Sequence, residues 1–310
     1  MHNKGGKPDV ILHKHLQFIM KRHTIAILMA TYNGERFLRE QIDSIMAQSV
    51  GGWHLYVHDD GSRDSTTAIL AEYETAHPDA ITILDYPSQG GACKNFFSMM
   101  KRVEADYYMF ADQDDYWHPD KIEQSVQAMN TLEKEHGLKP IVVHSDLRVV
   151  DERLQEINPS FFALMEIRPE RLVSFNDYAL QDVATGCTML FNRAARDAAL
   201  RGNIDKALMH DAWVTLRTVA EHGVRHCINK PLIDYRQHSD NVLGAGDVSK
   251  YTLAFRLRNL RDFIHRNWMH FRMMQAAGGM TFMEYAVAKV KSLKGRSQTA
   301  ADLHANAAQE

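Results

Sequence analysis

The sequence predicts an α/β protein built on a doubly wound, mostly parallel sheet. Two observations carry that prediction. Four strand-length apolar runs alternate with segments of helical period from residue 24 to about residue 137, the pattern of successive βαβ units. Three polar clusters, at residues 31–35, 59–64 and 112–115, each follow one of those strands directly. Right-handed crossovers place the carboxyl ends of such strands on one edge, which is where these sheets bind ligands.

Residues 24–30 (TIAILMA) form an unbroken apolar run, as a strand covered on both faces requires. Asn33-Gly34 breaks it, and residues 35–48 then set Phe37, Leu38, Ile42, Ile45 and Met46 at helical spacing. A second strand at 53–58 leads through Asp59-Asp60-Gly61-Ser62 into a helix at 64–76, capped by Asp64 or Ser65. Residues 81–84 are a third strand, 95–103 a third helix and 107–111 a fourth strand, which closes on Asp112-Gln113-Asp114-Asp115. Pro119 opens a long helix ending near Gly137. The second half is less regular: strands at 141–150, 186–191 and 231–235, a helix at 210–222, and a helical stretch over 251–290 that carries Arg256, Arg258, Arg261, Arg266, Trp268, Phe271 and Arg272. The tail from about residue 292 is expected to fray.

A chain of 310 residues with 45% hydrophobic and 24% charged residues is globular in composition. Its net charge of −3 gives no reason to expect a nucleic-acid partner. Cys93, Cys187 and Cys227 are too few and too scattered for a disulfide framework and fit a reducing, cytoplasmic compartment. No stretch approaches the roughly 18 apolar residues of a membrane span. Residues 1–23 are basic without an apolar core and read as a disordered tail or a mis-called start rather than a signal peptide.

The run at 112–115 is the sharpest chemical signal. Three carboxylates within four residues repel one another unless a cation stands among them. A hard divalent ion, Mg2+ or Mn2+, is the cation that such oxygens hold together with phosphate. Asp60 at the end of the second strand has the chemistry to accept hydrogen bonds from a base or ribose. In the first cluster, Tyr32 has the ring to stack on a base and Thr31 the hydroxyl to bond beside it.

Taken together, Ala-Thr-Tyr-Asn-Gly, then Asp-Asp-Gly-Ser-x-Asp about 28 residues later, then Phe-Ala-Asp-Gln-Asp-Asp, resemble glycosyltransferase family 2, the inverting group with the GT-A fold. The resemblance covers about residues 24–240. It implies a 24–245 catalytic domain with nucleotide-binding and acceptor-binding halves, followed by a 246–310 helical extension. It also implies that Thr31, Tyr32 and Glu35 border the base, that Asp60 contacts it, and that Lys94 lies near the nucleotide. Asp112 and Asp114 match the family's DxD element, Asp114 being the direct metal ligand. His210-Asp211 resembles the family's element at a helix start, which makes Asp211 the base that deprotonates an acceptor hydroxyl. Asp146 and Asp182 compete for that role. Tyr235-Arg236-Gln237-His238 resembles a segment of non-processive members, so Arg236 is expected at the diphosphate and His238 at the metal or phosphate.

The form Ala-Asp-Gln-Asp-Asp-x-Trp is similar to bacterial rhamnosyltransferases of O-antigen and related polysaccharides. That implies dTDP-L-rhamnose as donor, with UDP-sugars as the alternative, and a glycan or lipid-linked glycan as acceptor. The basic, aromatic helix over 255–272 would suit peripheral contact with the inner membrane face, or simple packing on the domain. A dinucleotide fold and a P-loop are excluded, because neither Gly-rich motif is present. A non-catalytic sugar-nucleotide-binding protein is the rival from another class.

Overall fold

The computed structural model describes residues 23–172, 174–180, 184–238 and 260–290, without the side chains of Leu180 and residues 260–264. The expected boundary at 245, Asp182, Arg256 and Arg258 lie outside the described residues, as does the side chain of Arg261.

Strands β1 (Ile25–Thr31), β2 (Trp53–Asp59), β3 (Ile81–Ile83) and β4 (Tyr107–Ala111) are linked by helices α1 (Leu38–Met46), α2 (Thr66–Ala76) and α3 (Ala92–Arg102). These four strands pair in parallel, in the order β3-β2-β1-β4. The central strand β1 is buried on both faces save at Ala30, and every residue of β4 is buried, while β2 and β3 are partly open. The sheet then becomes mixed. β8 (Leu190–Asn192) runs antiparallel between β4 and β6 (Ile141–Val150), and β9 (Val224–Arg236) runs parallel to β6. Short β5 (Tyr116–Trp117) and β7 (Glu156–Asn158) add antiparallel edges to β9 and β6.

Alternation along each strand sorts the core into two layers. Ala26, Leu28 and Phe110 face a layer completed by α3, by α7 (Arg193–Arg201) and by α8 (His210–Ala220). Ile25, Ile27 and Met29 face the other, completed by α1 and by α4 (Lys121–His136). Each large apolar side chain so buried contributes about 1.5–3 kcal/mol.

Three elements differ from the sequence reading. Helix α1 starts at Leu38, not at residue 35, because Gly34 closes a turn by accepting the amides of Phe37 and Leu38. The strand read over 186–191 is a 3-10 turn, Gly186–Thr188, leading into β8, since the Gly186 amide is drawn onto Asp211. The short strand read at 231–235 is the second half of β9, thirteen residues long, which pairs with β6 across register shifts around Asp146.

At the C-terminal end, α9 (Leu260–Gly278) and a helix over 282–290 pack on the domain. Phe271, Met274, Ala277 and Tyr285 enter the first core layer. Arg217 of α8 donates to the Ala277 carbonyl at 2.6 Å. Among the described residues no helix is long and apolar enough to cross a membrane.

Candidate active site

The site forms where β1, β2 and β4 end together. Its donor-side walls are three loops tied to one another by side chains. Thr31 is buried, and its hydroxyl donates to Asp59 Oδ1 at 3.0 Å. The other Asp59 oxygen accepts the amides of Gly61 and Ser62. Glu35 and Asp64 form a reciprocal clasp: the Glu35 amide donates to Asp64 Oδ2, and the Ser65 amide donates to Glu35 Oε2 at 2.8 Å. Asp64 also accepts the Thr66 amide and hydroxyl, so it caps α2 while Ser65 makes no side-chain cap.

Asp60 is held by a fourth loop. Its carboxylate accepts the Ser88 hydroxyl and the amides of Gln89, Gly90 and Gly91, the last at 2.6 Å. Burial opposes its charge, yet these donors hold the carboxyl below the usual aspartate range. Gly90 and Gly91 have φ of 74° and 130°, so the loop can curl around the carboxylate only with glycine there. Tyr32 is 54% exposed, its ring turned to solvent at the edge. Its backbone is pinned on both sides by Gln113, which accepts from the Tyr32 amide and donates to its carbonyl. Lys94 is exposed in the first turn of α3.

The acidic run divides in two. Asp112 is partly open, and its carboxyl is pushed up to about 7 by burial, then by repulsion from Asp114 and Asp211. Asp114 accepts from His238 at 2.9 Å if the imidazole carries its proton on Nε2. The His238 ring in turn leans on Phe37, centroids 5.1 Å apart. Asp115 points inward. It is fully buried, accepts the Arg236 amide, and is pushed well above the ordinary carboxylate range by burial and by Asp114 and Asp112.

Arg236, expected from the sequence at the diphosphate, lies at the end of β9. Only 1% of it is exposed. Its guanidinium donates to the Asp114 carbonyl, the Glu152 carbonyl and Glu40, and stacks 4.4 Å over Phe37. It braces the acidic loop from behind. β9 delivers Arg236 beneath the loop, where the Asp114 and Glu152 carbonyls and the Glu40 carboxylate converge.

Asp211 opens α8 and is buried. Its carboxylate accepts the Gly186 amide at 2.9 Å and the Ala212 amide at 2.7 Å, which fixes the plane of both oxygens. Its charge reaches Asp112, and it also reaches Cys93 of α3, whose thiol is pushed up to about 12 by burial and then by Asp211. Asp211, on the Gly186 amide, and Asp112, beside Cys187, thus meet at one turn. The competitor Asp146 is occupied elsewhere, taking the Ser160 hydroxyl and the amides of Leu147 and Phe162.

Five residues escaped the sequence reading. Asp59 was visible only as the neighbour of Asp60, and Gln113 only as the spacer between two aspartates. Gly186, Cys187 and Lys121 had no motif to announce them. Cys187 and Asp115 approach Asp112 so closely that one ligand atom from each lies within 4.8 Å of the others.

Asp112 and Asp114 thus stand at the end of β4, with Asp211, held by two backbone amides, at the neighbouring turn. The sequence profile of "Glycosyl transferase family 2" matches residues 26–198, more than half of the chain, and the protein belongs to that family. It is a nucleotide-sugar-dependent glycosyltransferase with the GT-A fold. It is 28% identical over 227 residues to the "dTDP-rhamnosyl transferase RfbG" of Shigella flexneri, covering 70% of this chain and 74% of that one. It spans about half the length of two uncharacterized Rickettsia glycosyltransferases at 27–28% identity. Among solved structures, S. aureus TarS 1-349 superposes with TM-score 0.54 at 14% identity, over 88% of this chain and 92% of that one. The mannosyltransferase PcManGT of Pyrobaculum calidifontis, solved with GDP-Man and Mn2+, gives TM-score 0.54 at 14% identity over 96% and 88%.

Proposed function

We propose that the protein transfers L-rhamnose from dTDP-rhamnose, with inversion, to a hydroxyl of a bacterial surface polysaccharide or lipid-linked glycan. The observation that carries the transfer chemistry is the confrontation of Asp211 with Asp112 and Asp114 on one sheet edge. The likeness to a dTDP-rhamnosyl transferase supports the sugar.

The donor set fits a hard divalent cation, Mg2+ or Mn2+. Asp112 and Asp114 supply oxygen ligands that burial and mutual repulsion leave short of a positive charge. His238 sits on Asp114 and orients it. Such an ion would neutralise charge on the departing diphosphate. Tyr32 offers an exposed ring for the base, beside Thr31 and the loop that Glu35 and Asp60 tie together; Lys94 adds a cation on the same side. Asp211 takes the proton from the acceptor hydroxyl as that oxygen attacks the anomeric carbon from the face opposite the diphosphate. Its two amide donors leave each oxygen a lone pair for that proton.

The test is a donor screen with Mn2+, reading release of nucleoside diphosphate and the anomeric configuration of the product. Release from dTDP-rhamnose with inversion is expected. Turnover with UDP-sugars alone would replace the donor assignment, and turnover unaffected by EDTA would end the metal assignment.

A further inference from the structure

The loop that grips Asp60 has both of its ends closed on one imidazole. It runs from Tyr86, just past β3, to Gly91, which caps α3. Between those ends the Ser88 hydroxyl and the amides of Gln89, Gly90 and Gly91 all donate to the Asp60 carboxylate. Its two glycines lose more freedom on ordering than any other residue type, so the loop needs ties outside itself. His58 of β2, only 1% exposed, supplies them. Its Nε2 lies 2.9 Å from the Tyr86 carbonyl, at the start of the loop. Its Nδ1 lies 2.8 Å from Oδ1 of Asn95, in the first turn of α3. Asn95 is fully buried, and its side-chain nitrogen donates to the His58 carbonyl at 3.1 Å, which turns Oδ1 toward the ring. Each ring nitrogen therefore faces an oxygen and donates when it carries the proton. The Tyr86 ring stacks on the imidazole, centroids 3.6 Å apart and planes 3° from parallel, and the Arg102 guanidinium lies 4.1 Å over the Tyr86 ring.

We propose that His58, with Asn95 and Tyr86, is a clamp that closes the ends of this loop and thereby aims the Asp60 carboxylate at the nucleotide. His58 is a positioning residue, acting on Asp60 through the backbone of the loop. The clamp stands on the contacts above; its bearing on nucleotide affinity rests on the reading of Asp60 as a nucleotide contact.

The test compares the full chain with His58→Phe, which keeps an aromatic ring against Tyr86 and removes both ring nitrogens. Hydrogen exchange at the Gln89, Gly90 and Gly91 amides should quicken about tenfold, the weight of a lost buried hydrogen bond, while the amides of β4 keep their rates. Binding of dTDP and of UDP with Mn2+ is followed by calorimetry. The dissociation constant of whichever binds the parent should rise about tenfold. On an Asp60→Ala background the same change should cost less than about twofold, because no carboxylate is left to aim. Unchanged exchange in the loop would overturn the clamp, and additive losses of affinity would overturn its action through Asp60. If His58→Phe does not fold, Tyr86→Leu, at a half-buried position, is the second variant. Removing the stack there should give the same pattern at smaller size, and unchanged exchange and affinity would refute the proposal. A parent that binds neither nucleotide would refute the nucleotide reading and with it the effect on affinity, while the exchange result decides the clamp in either case.

Discussion

The two sides of the site are built on opposite plans. On the donor side the polar residues are many, and most of their side chains are engaged with neighbouring loops: Asp59 with Thr31 and Ser62, Glu35 with Ser65, Asp60 with four donors between Ser88 and Gly91. On the proposed acceptor side a single buried carboxylate, Asp211, rests on two backbone amides. The difference teaches that an edge built from several loops needs a web of side chains to hold its backbone rigid. A proton acceptor needs one group in one orientation, which two amides suffice to fix.

The sharpest way to break that contrast is Asp211→Asn. Turnover should fall about 10²–10⁴-fold, the usual weight of a general base. Nucleoside diphosphate binding, followed by calorimetry with Mn2+, should be unchanged; near-normal turnover would remove Asp211 from the mechanism. Next is His238→Ala, which frees Asp114. The Mn2+ concentration for half-maximal rate should rise about 10–100-fold, as for other outer partners of metal ligands, with the saturated rate less affected. An unchanged Mn2+ requirement would show that Asp114 needs no orientation.

Gly186→Ala probes the acceptor side sterically. A Cβ there would lie 2.9 Å from His210 Nε2 and 3.4 Å from Asp211 Oδ2. The expected cost is about 1–3 kcal/mol of stability, with turnover falling further than stability alone explains; a variant with wild-type turnover would mean that Asp211 tolerates displacement. The pH dependence sharpens the donor side. Asp112 binds its proton more tightly folded than unfolded, with a folded value of about 7, so the metal-free chain loses stability as pH rises from about 4 toward 7. Melting in EDTA should show that downward slope and saturating Mn2+ should flatten it; parallel slopes would place the ion elsewhere. The smallest effect is expected from Asp64→Ala, about 1 kcal/mol for a lost helix cap. The loss should appear in denaturant melts and leave the Mn2+ requirement alone, since Asp64 serves the scaffold.

Much of this was legible in the residues. The unbroken apolar runs and the helical patterns between them located β1 through β4, and position alone brought Thr31, Asp60 and Asp112 to one edge. What escaped was the direction in which each polar group turns. Arg236 sits in a motif that reads as phosphate-facing, but a one-dimensional pattern does not say that β9 runs beneath the acidic loop. Glu35 has the same composition signal whether it meets a base or the start of α2. Lys121 was invisible because a lysine in a first helical turn reads as surface, and it is completely buried.

Arg236 has a consequence in time as well as in space. Its guanidinium joins Glu40, 196 positions earlier, and the Asp114 carbonyl, 122 positions earlier. Contacts of such long sequence separation form late, because the chain between must already be in place. During synthesis the four parallel strands can assemble while β9 is still unmade. The acidic loop gains its brace only when the last strand slides under it. A ribosome-bound or truncated chain ending before residue 236 would therefore carry the acidic loop without its brace.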